Sequence, residues 1–120
     1  MTGHRFLLPA VIALAATAAG QALAHHSFAL FDTQKTVALD GTVKKFEWSN
    51  PHSWIFLEVA DKTANAGQWT IELPAAAILA GDGWNKNYLK TGDRISVMIN
   101  PLKNGTKGGS LESFTPKGQE

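Results

Sequence analysis

The 120-residue chain contains no cysteine. That absence excludes disulfide staples, a lipid-modified cysteine, a thiol nucleophile and thiolate metal sites, so the fold must rest on an apolar core. Charge of one sign is missing too: eleven Lys and Arg stand against ten Asp and Glu. No basic surplus is left to attract a phosphate backbone, which argues against general nucleic-acid binding. The chain has a single long apolar run, from about Phe6 to Ala19, too short and too rich in alanine to read as a spanning helix. Internal repeats and low-complexity tracts are absent, and no Gly-rich phosphate loop precedes a helix. Ser27, Ser49 and Ser53 have no credible base and acid to make any of them a nucleophile.

What the chain does have, first, is a leader pattern. His4 and Arg5 precede the apolar run, and Ala22 and Ala24 stand three and one positions before a cut after Ala24. Residues 1–24 therefore read as a signal peptide, and the mature protein is expected in the periplasm or secreted, without membrane insertion after cleavage. Cleavage leaves 96 residues with ten basic and ten acidic side chains, one small domain with net charge near zero. Residues 25–34 read as an N-terminal arm, 35–116 as the folded domain and 117–120 as a flexible tail. Phe28, Leu30 and Phe31 are too apolar to stay in water, so the arm is expected to dock on the domain.

The mature chain reads as β-structure. Residues 36–39 and 42–48 flank Asp40-Gly41, and the apolar phase shifts between Val43 and Phe46, as in one long bent strand with a bulge. Ser49-Asn50-Pro51-His52 ends it. In residues 53–59, Ile55, Leu57 and Val59 face one side and Trp54, Phe56 and Glu58 the other; Trp69, Ile71 and Leu73 alternate in a third strand, with Trp69 read as core. Pro74 to Ala80 reads as a short helix with proline at its start and Gly81 at its end, and residues 85–89 as a further helical turn. Residues 94–100, with Ile95, Val97 and Ile99 inward, and 109–115 complete five strands. Three strands, a helix and two strands is the order of an OB-like Greek-key barrel, all-β with one short helix; the alternative is a small β-sandwich.

Three histidines remain after cleavage: His25, His26 and His52. As the first residue, His25 offers an α-amine and an imidazole that together close a chelate ring on Cu(II) or another divalent metal. The amine's ordinary pKa of about 7.7–8.0 lets a metal displace its proton at neutral pH. His52 supplies a further nitrogen. In an extended arm His25 and His26 point to opposite sides, so one of them faces His52, and the amine favours His25. Two ligands of one metal at about 2 Å would bring these nitrogens within about 4–5 Å of each other. The structural alternative has the first two histidines solvated and His52 bonded to the backbone of its turn.

Trp54 and Phe56 share an outward face, and with Trp48 they form a candidate surface for a small ligand or a periplasmic protein partner. Alternatively they lie beneath Phe28 and Phe31 of the arm, or beneath the helix. Glu47, Glu58 and Glu72 on neighbouring strands line one face, as solvated strand residues also do.

The stretches His25-His26-Ser27-Phe28, Gly41-Thr42-Val43, Phe46-Glu47-Trp48-Ser49-Asn50-Pro51-His52-Ser53-Trp54, Trp69, Gly83-Trp84, Leu89-Lys90-Thr91-Gly92-Asp93 and Gly108-Gly109 together resemble a family of small exported proteobacterial proteins of unknown function. The resemblance covers nearly all of the mature chain. It implies an exported single domain and no particular activity. Leu73-Pro74-Ala75-Ala76-Ala77 departs from the glycine-rich turn expected there. The leading expectation is a non-enzymatic exported binding or accessory module, with copper or another divalent metal held by His25 and His52. A metal-free barrel binding through Trp54 and Phe56 is the second expectation, and a copper-dependent oxidoreductase the third.

Overall fold

The computed structural model describes residues 29–60, 62 and 64–117. Five strands, β1 (Val37–Glu47), β2 (Ser53–Val59), β3 (Gly67–Leu73), β4 (Arg94–Pro101) and β5 (Gly108–Pro116), close into a barrel in the order β1-β2-β3-β5-β4. A short helix, α1 (Ala76–Gly81), follows β3. All neighbouring pairs are antiparallel except β3 with β5, which run parallel. This is the OB-like barrel expected from the element order; the sandwich alternative is excluded by the closure.

Alternation decides what fills the barrel. Ile55, Leu57, Val59, Trp69, Ile71, Leu73, Ile95, Val97 and Ile99 point inward and are buried, joined by Leu39 and Val43 from β1. The Trp69 indole N–H finds the Asn65 carbonyl at 2.8 Å, so the largest core ring leaves no polar group unpaired. The bulge on β1 lies where the apolar phase shifts, between Val43 and Lys45. It lets Val43 and Phe46 both turn inward while Lys45 and Glu47 turn out. At Gly41 the same strand passes so close to β2 that a Cβ would stand 2.5 Å from the Glu58 carbonyl oxygen and 2.7 Å from Leu57 Cγ. Only glycine permits the bend there.

The helix differs from its sequence reading at both ends. Pro74 and Ala75 precede it, and Ala75 at the N-cap makes no side-chain cap. The exposed amides are capped from a distance instead: Ala76 N–H donates to the Ser49 carbonyl at 2.9 Å and Ala77 N–H to Asn50 Oδ1 at 3.2 Å. At the other end Gly81 is still helical, and the glycine that stops the helix is Gly83, with φ of 91°. Trp84 N–H reaches back to the Leu79 carbonyl at 3.0 Å and Gly83 N–H to that of Ala80 at 3.2 Å, which is the Schellman arrangement. Leu79, beneath the Trp84 end of that motif, is buried in the core. Residues 85–89 form a turn rather than more helix.

The arm docks through Phe31, whereas Leu30, also expected to leave water, stays exposed. Phe31 is buried and bridges antiparallel to Leu102, just past the end of β4. Asp32 N–H donates to the Pro101 carbonyl at 2.8 Å, and Lys103 N–H to that of Leu30 at 2.9 Å. Lys117, placed by the sequence reading in the tail, is tied down through its N–H to the Arg94 carbonyl and its ammonium to Asp40. The leader, His25, His26 and Phe28 lie outside the described residues.

Candidate functional site

The β1–β2 corner is built by its serines. Ser53, fully buried, donates its hydroxyl to the Ser49 carbonyl and accepts the Ser49 N–H, both at 3.2 Å. The Ser49 hydroxyl donates to the His52 carbonyl at 2.6 Å. Together with the bonds from Ser49 and Asn50 to α1, these contacts clamp the loop at both sides. The Asn50–Pro51 peptide within it is cis. His52 thus leaves a rigid corner, and its ring turns away from the backbone towards β3. Its Nδ1 lies 3.1 Å from Glu72 Oε1, a charge-pairing distance whenever the imidazole is protonated. Glu72 is largely covered whereas His52 is well exposed. No other described group engages Nε2 of His52.

Strand register builds the surface next to this pair. Two rows run across the outside of the barrel. One is Lys45, Phe56, Thr70 and Gly108; the other is Glu47, Trp54, Glu72 and Ser110. Adjacent members stand about 5 Å apart and the rows about 7 Å apart. Phe56 and Trp54 hold the centre. Both are half-buried and neither belongs to the core cluster. Trp54 lies edge-on to His52, with ring centroids 6.4 Å apart, and has a carboxylate on either side. Lys45 pairs with Glu47 at 2.6 Å and lies 5.7 Å from the centre of the Phe56 ring. Glu58 is two residues further along β2, opposite Gln68. The carboxylates therefore share a face, as the alternation implies, but Glu47 is paired with Lys45 and Glu72 contacts the His52 imidazole.

The first row ends where the arm docks. The Leu102 side chain occupies the space over Gly108, with Cδ1 2.8 Å from where a Cβ would be. Phe31 is bridged to Leu102, so the arm meets the barrel at the margin of the face that carries Trp54, Phe56 and the His52–Glu72 pair.

The structure thus brings His52, Trp54 and Phe56 together. Trp48, read from the sequence as part of that surface, goes elsewhere: it packs against the core, edge-on to Phe46 at 6.1 Å. Glu72 is the residue whose role sequence reading missed. Its signal was there in the alternation of β3, which puts Glu72 outward, but the pairing with His52 needed the hairpin register. Among the described residues no three of His, Cys, Asp or Glu converge on one point, so a metal at His52 would need ligands from outside them.

The fold and face define a small closed barrel with an aromatic outer surface bordered by a histidine–carboxylate pair. The chain belongs to a family of unknown function, DUF6152, whose model matches residues 13–112. No curated protein matches it. Among the described residues no helix is long and apolar enough to cross a membrane.

Proposed function

We propose that this is an exported, non-enzymatic binding module that holds copper or another divalent metal between His52 and the histidines of the mature N-terminus. The observation that carries the reading is the His52–Glu72 pair, placed on the face at whose margin the arm docks. A carboxylate at one imidazole nitrogen orients the ring and leaves the other nitrogen to a metal, an arrangement common around metal-bound histidines. From Phe31 back to His25 is six residues, and six extended residues span at most about 20 Å. Ala29 is helical and Leu30 is in a turn, so the reach is below that bound, and the metal reading requires the residues before Ala29 to lead along the face towards His52. The leader motif ending at Ala24 supports export, and the lack of cysteine leaves nitrogen ligands as the main donors for a borderline divalent ion such as Cu(II).

The decisive measurement is a calorimetric Cu(II) titration of protein exported with its own leader, after the N-terminus has been verified as His25. His52→Ala, and a variant keeping one extra residue before His25, should each weaken binding at least tenfold. Unchanged affinity in both would end the metal reading. A second reading, a metal-free ligand site on Trp54 and Phe56, is favoured by the half-exposure of both rings outside the core. It predicts that Trp54→Ala abolishes ligand capture while copper has no effect.

A further inference from the structure

A second group of motif residues, Gly83-Trp84 and Leu89 to Asp93, plays no part in the Trp54 face. Leu89 and Asp93 of this group line a cleft of about 330 Å³ between the start of β4 and the end of β5, and Trp84 stacks on its Tyr88 wall. We propose that this cleft is a separate binding site for a small organic anion with a flat apolar body, such as an aromatic sulfonate or carboxylate.

Three observations support this chemistry. The first is the wall. Trp84 stacks on Tyr88 with centroids 4.3 Å apart and planes inclined by 27°, and Phe114 leans on both at 5.3 and 6.1 Å. Tyr88 and Phe114 line the cleft directly, and Tyr88 remains 41% exposed despite its stacking. Flat aromatic surfaces left accessible in a concave setting favour a flat apolar guest. The second is the floor: Leu89 and Ile95, both buried core residues, form its base, so the cleft is held open by the barrel rather than by mobile side chains.

The third is charge. Arg94, Lys117 and Asp93 stand at the rim. The Asp93 carboxylate is used by its own turn, accepting the Lys90 N–H at 2.9 Å. Lys117 is paired with Asp40 at 3.0 Å. The Arg94 guanidinium has no hydrogen bond or ion pair among the described residues. Its charge acts on Asp40 without a direct contact, which leaves its planar fork open to a sulfonate or carboxylate. The volume is at the lower end of what small-molecule sites occupy, which limits the guest to about two fused rings.

The test uses naphthalene-2-sulfonate and its neutral counterpart 2-naphthalenemethanol, titrated into the ¹⁵N-labelled protein while the four tryptophan indole signals are followed. Trp84→Phe and Trp54→Phe assign those signals. The sulfonate should move the Trp84 signal and leave that of Trp54 in place, and should bind at least tenfold more tightly than the alcohol. Arg94→Gln should remove that preference without weakening the alcohol, and Lys117→Gln should reduce it less. Equal binding of the two probes, an unaltered preference in Arg94→Gln, or shifts at Trp54 in place of Trp84 would each overturn the proposal. Arg94 is exposed and unbonded, so its replacement should fold normally, which a thermal melt verifies. Copper binding at His52 is read separately, so either site can fail without the other.

Discussion

Two aromatic groups decorate this barrel, and they differ in what lies behind them and beside them. Trp54 and Phe56 stand on the outer face of a continuous sheet, with other residues of the same strand filling the core behind them. Trp84, Tyr88 and Phe114 stand where the sheet runs out: β3 pairs with β5 only from Thr70 to Glu72, and beyond it the chain turns into α1. There Trp84 and Phe114 pack on the core themselves. The neighbours differ as well. Trp54 is bracketed by Glu47 and Glu72, while the Tyr88–Phe114 cleft is rimmed by Arg94, Lys117 and an Asp93 bonded within its own turn. A chain of almost zero net charge thus presents an aromatic face whose carboxylates are paired and an aromatic cleft whose rim carries an Arg94 guanidinium with no direct partner among the described residues. Composition alone argues about neither, because the segregation arises from register and topology.

The largest expected effect separates the two groups by stability. Trp84→Ala removes a ring that stacks on Tyr88, leans on Phe46 at 6.2 Å and packs on the core, so it should cost about 2–4 kcal/mol in urea unfolding. Trp54→Ala removes a ring outside the core cluster and should cost less than about 1 kcal/mol. Similar losses in the two variants would break the distinction between a ring that seals and a ring that is displayed.

The next effect separates them by ligand. Glu72→Gln keeps the shape of the His52 partner but removes its charge. Copper affinity should fall by about tenfold, with unfolding little changed, as expected of a group that orients a ligand. Arg94→Gln, at the other aromatic group, should leave copper affinity unaltered. A Glu72→Gln protein that binds copper normally would reduce the His52–Glu72 pair to a surface contact.

Much of the barrel was legible because alternation with period two is a strong signal. β2 and β4 match their sequence patterns almost residue for residue, and the phase shift on β1 located its bulge. The ends of α1 were not legible. Pro74 and Gly81 looked like local start and stop signals, yet the amides of Ala76 and Ala77 are satisfied by Ser49 and Asn50, about 27 positions upstream, and the stop is Gly83. Local capping rules cannot see a cap supplied by tertiary structure. The same limit applied to the site. His52 and Trp54 were visible as unusual residues in a distinctive motif, but Glu72 looked like any outward strand carboxylate until β3 was placed beside β2. Trp48 misled for the opposite reason: it follows the bulged strand, where alternation no longer tells inside from outside.

The smallest effect lies behind the cleft and is read in acid. Asp40 on β1 stands opposite Ser96 on β4, whose hydroxyl donates to Asp40 Oδ1; Lys117 approaches Oδ2 at 3.0 Å. The Ser96 bond first, and the Lys117 bond next, hold the Asp40 carboxyl below the ordinary carboxylate value of 3.8. A group whose folded pKa is depressed binds its proton more readily in the unfolded chain. Its contribution to stability is therefore complete above that ordinary value and is lost as pH falls through the lower folded one. Asp40 is well exposed, so solvent screens the contribution and keeps it small. Ser96→Ala removes the largest cause of the depression. The wild-type protein should accordingly lose more stability than Ser96→Ala when urea midpoints are compared between pH 5 and pH 2.5, while at pH 7 the two should differ by less than about 1 kcal/mol. Parallel acid profiles would mean that the Ser96 hydroxyl does not favour the charged carboxylate. Lys117, with a smaller contribution from the Arg94 charge, would then hold the Asp40 carboxyl down, and Lys117→Gln, already needed to test anion binding at the cleft, would be the variant to flatten the profile.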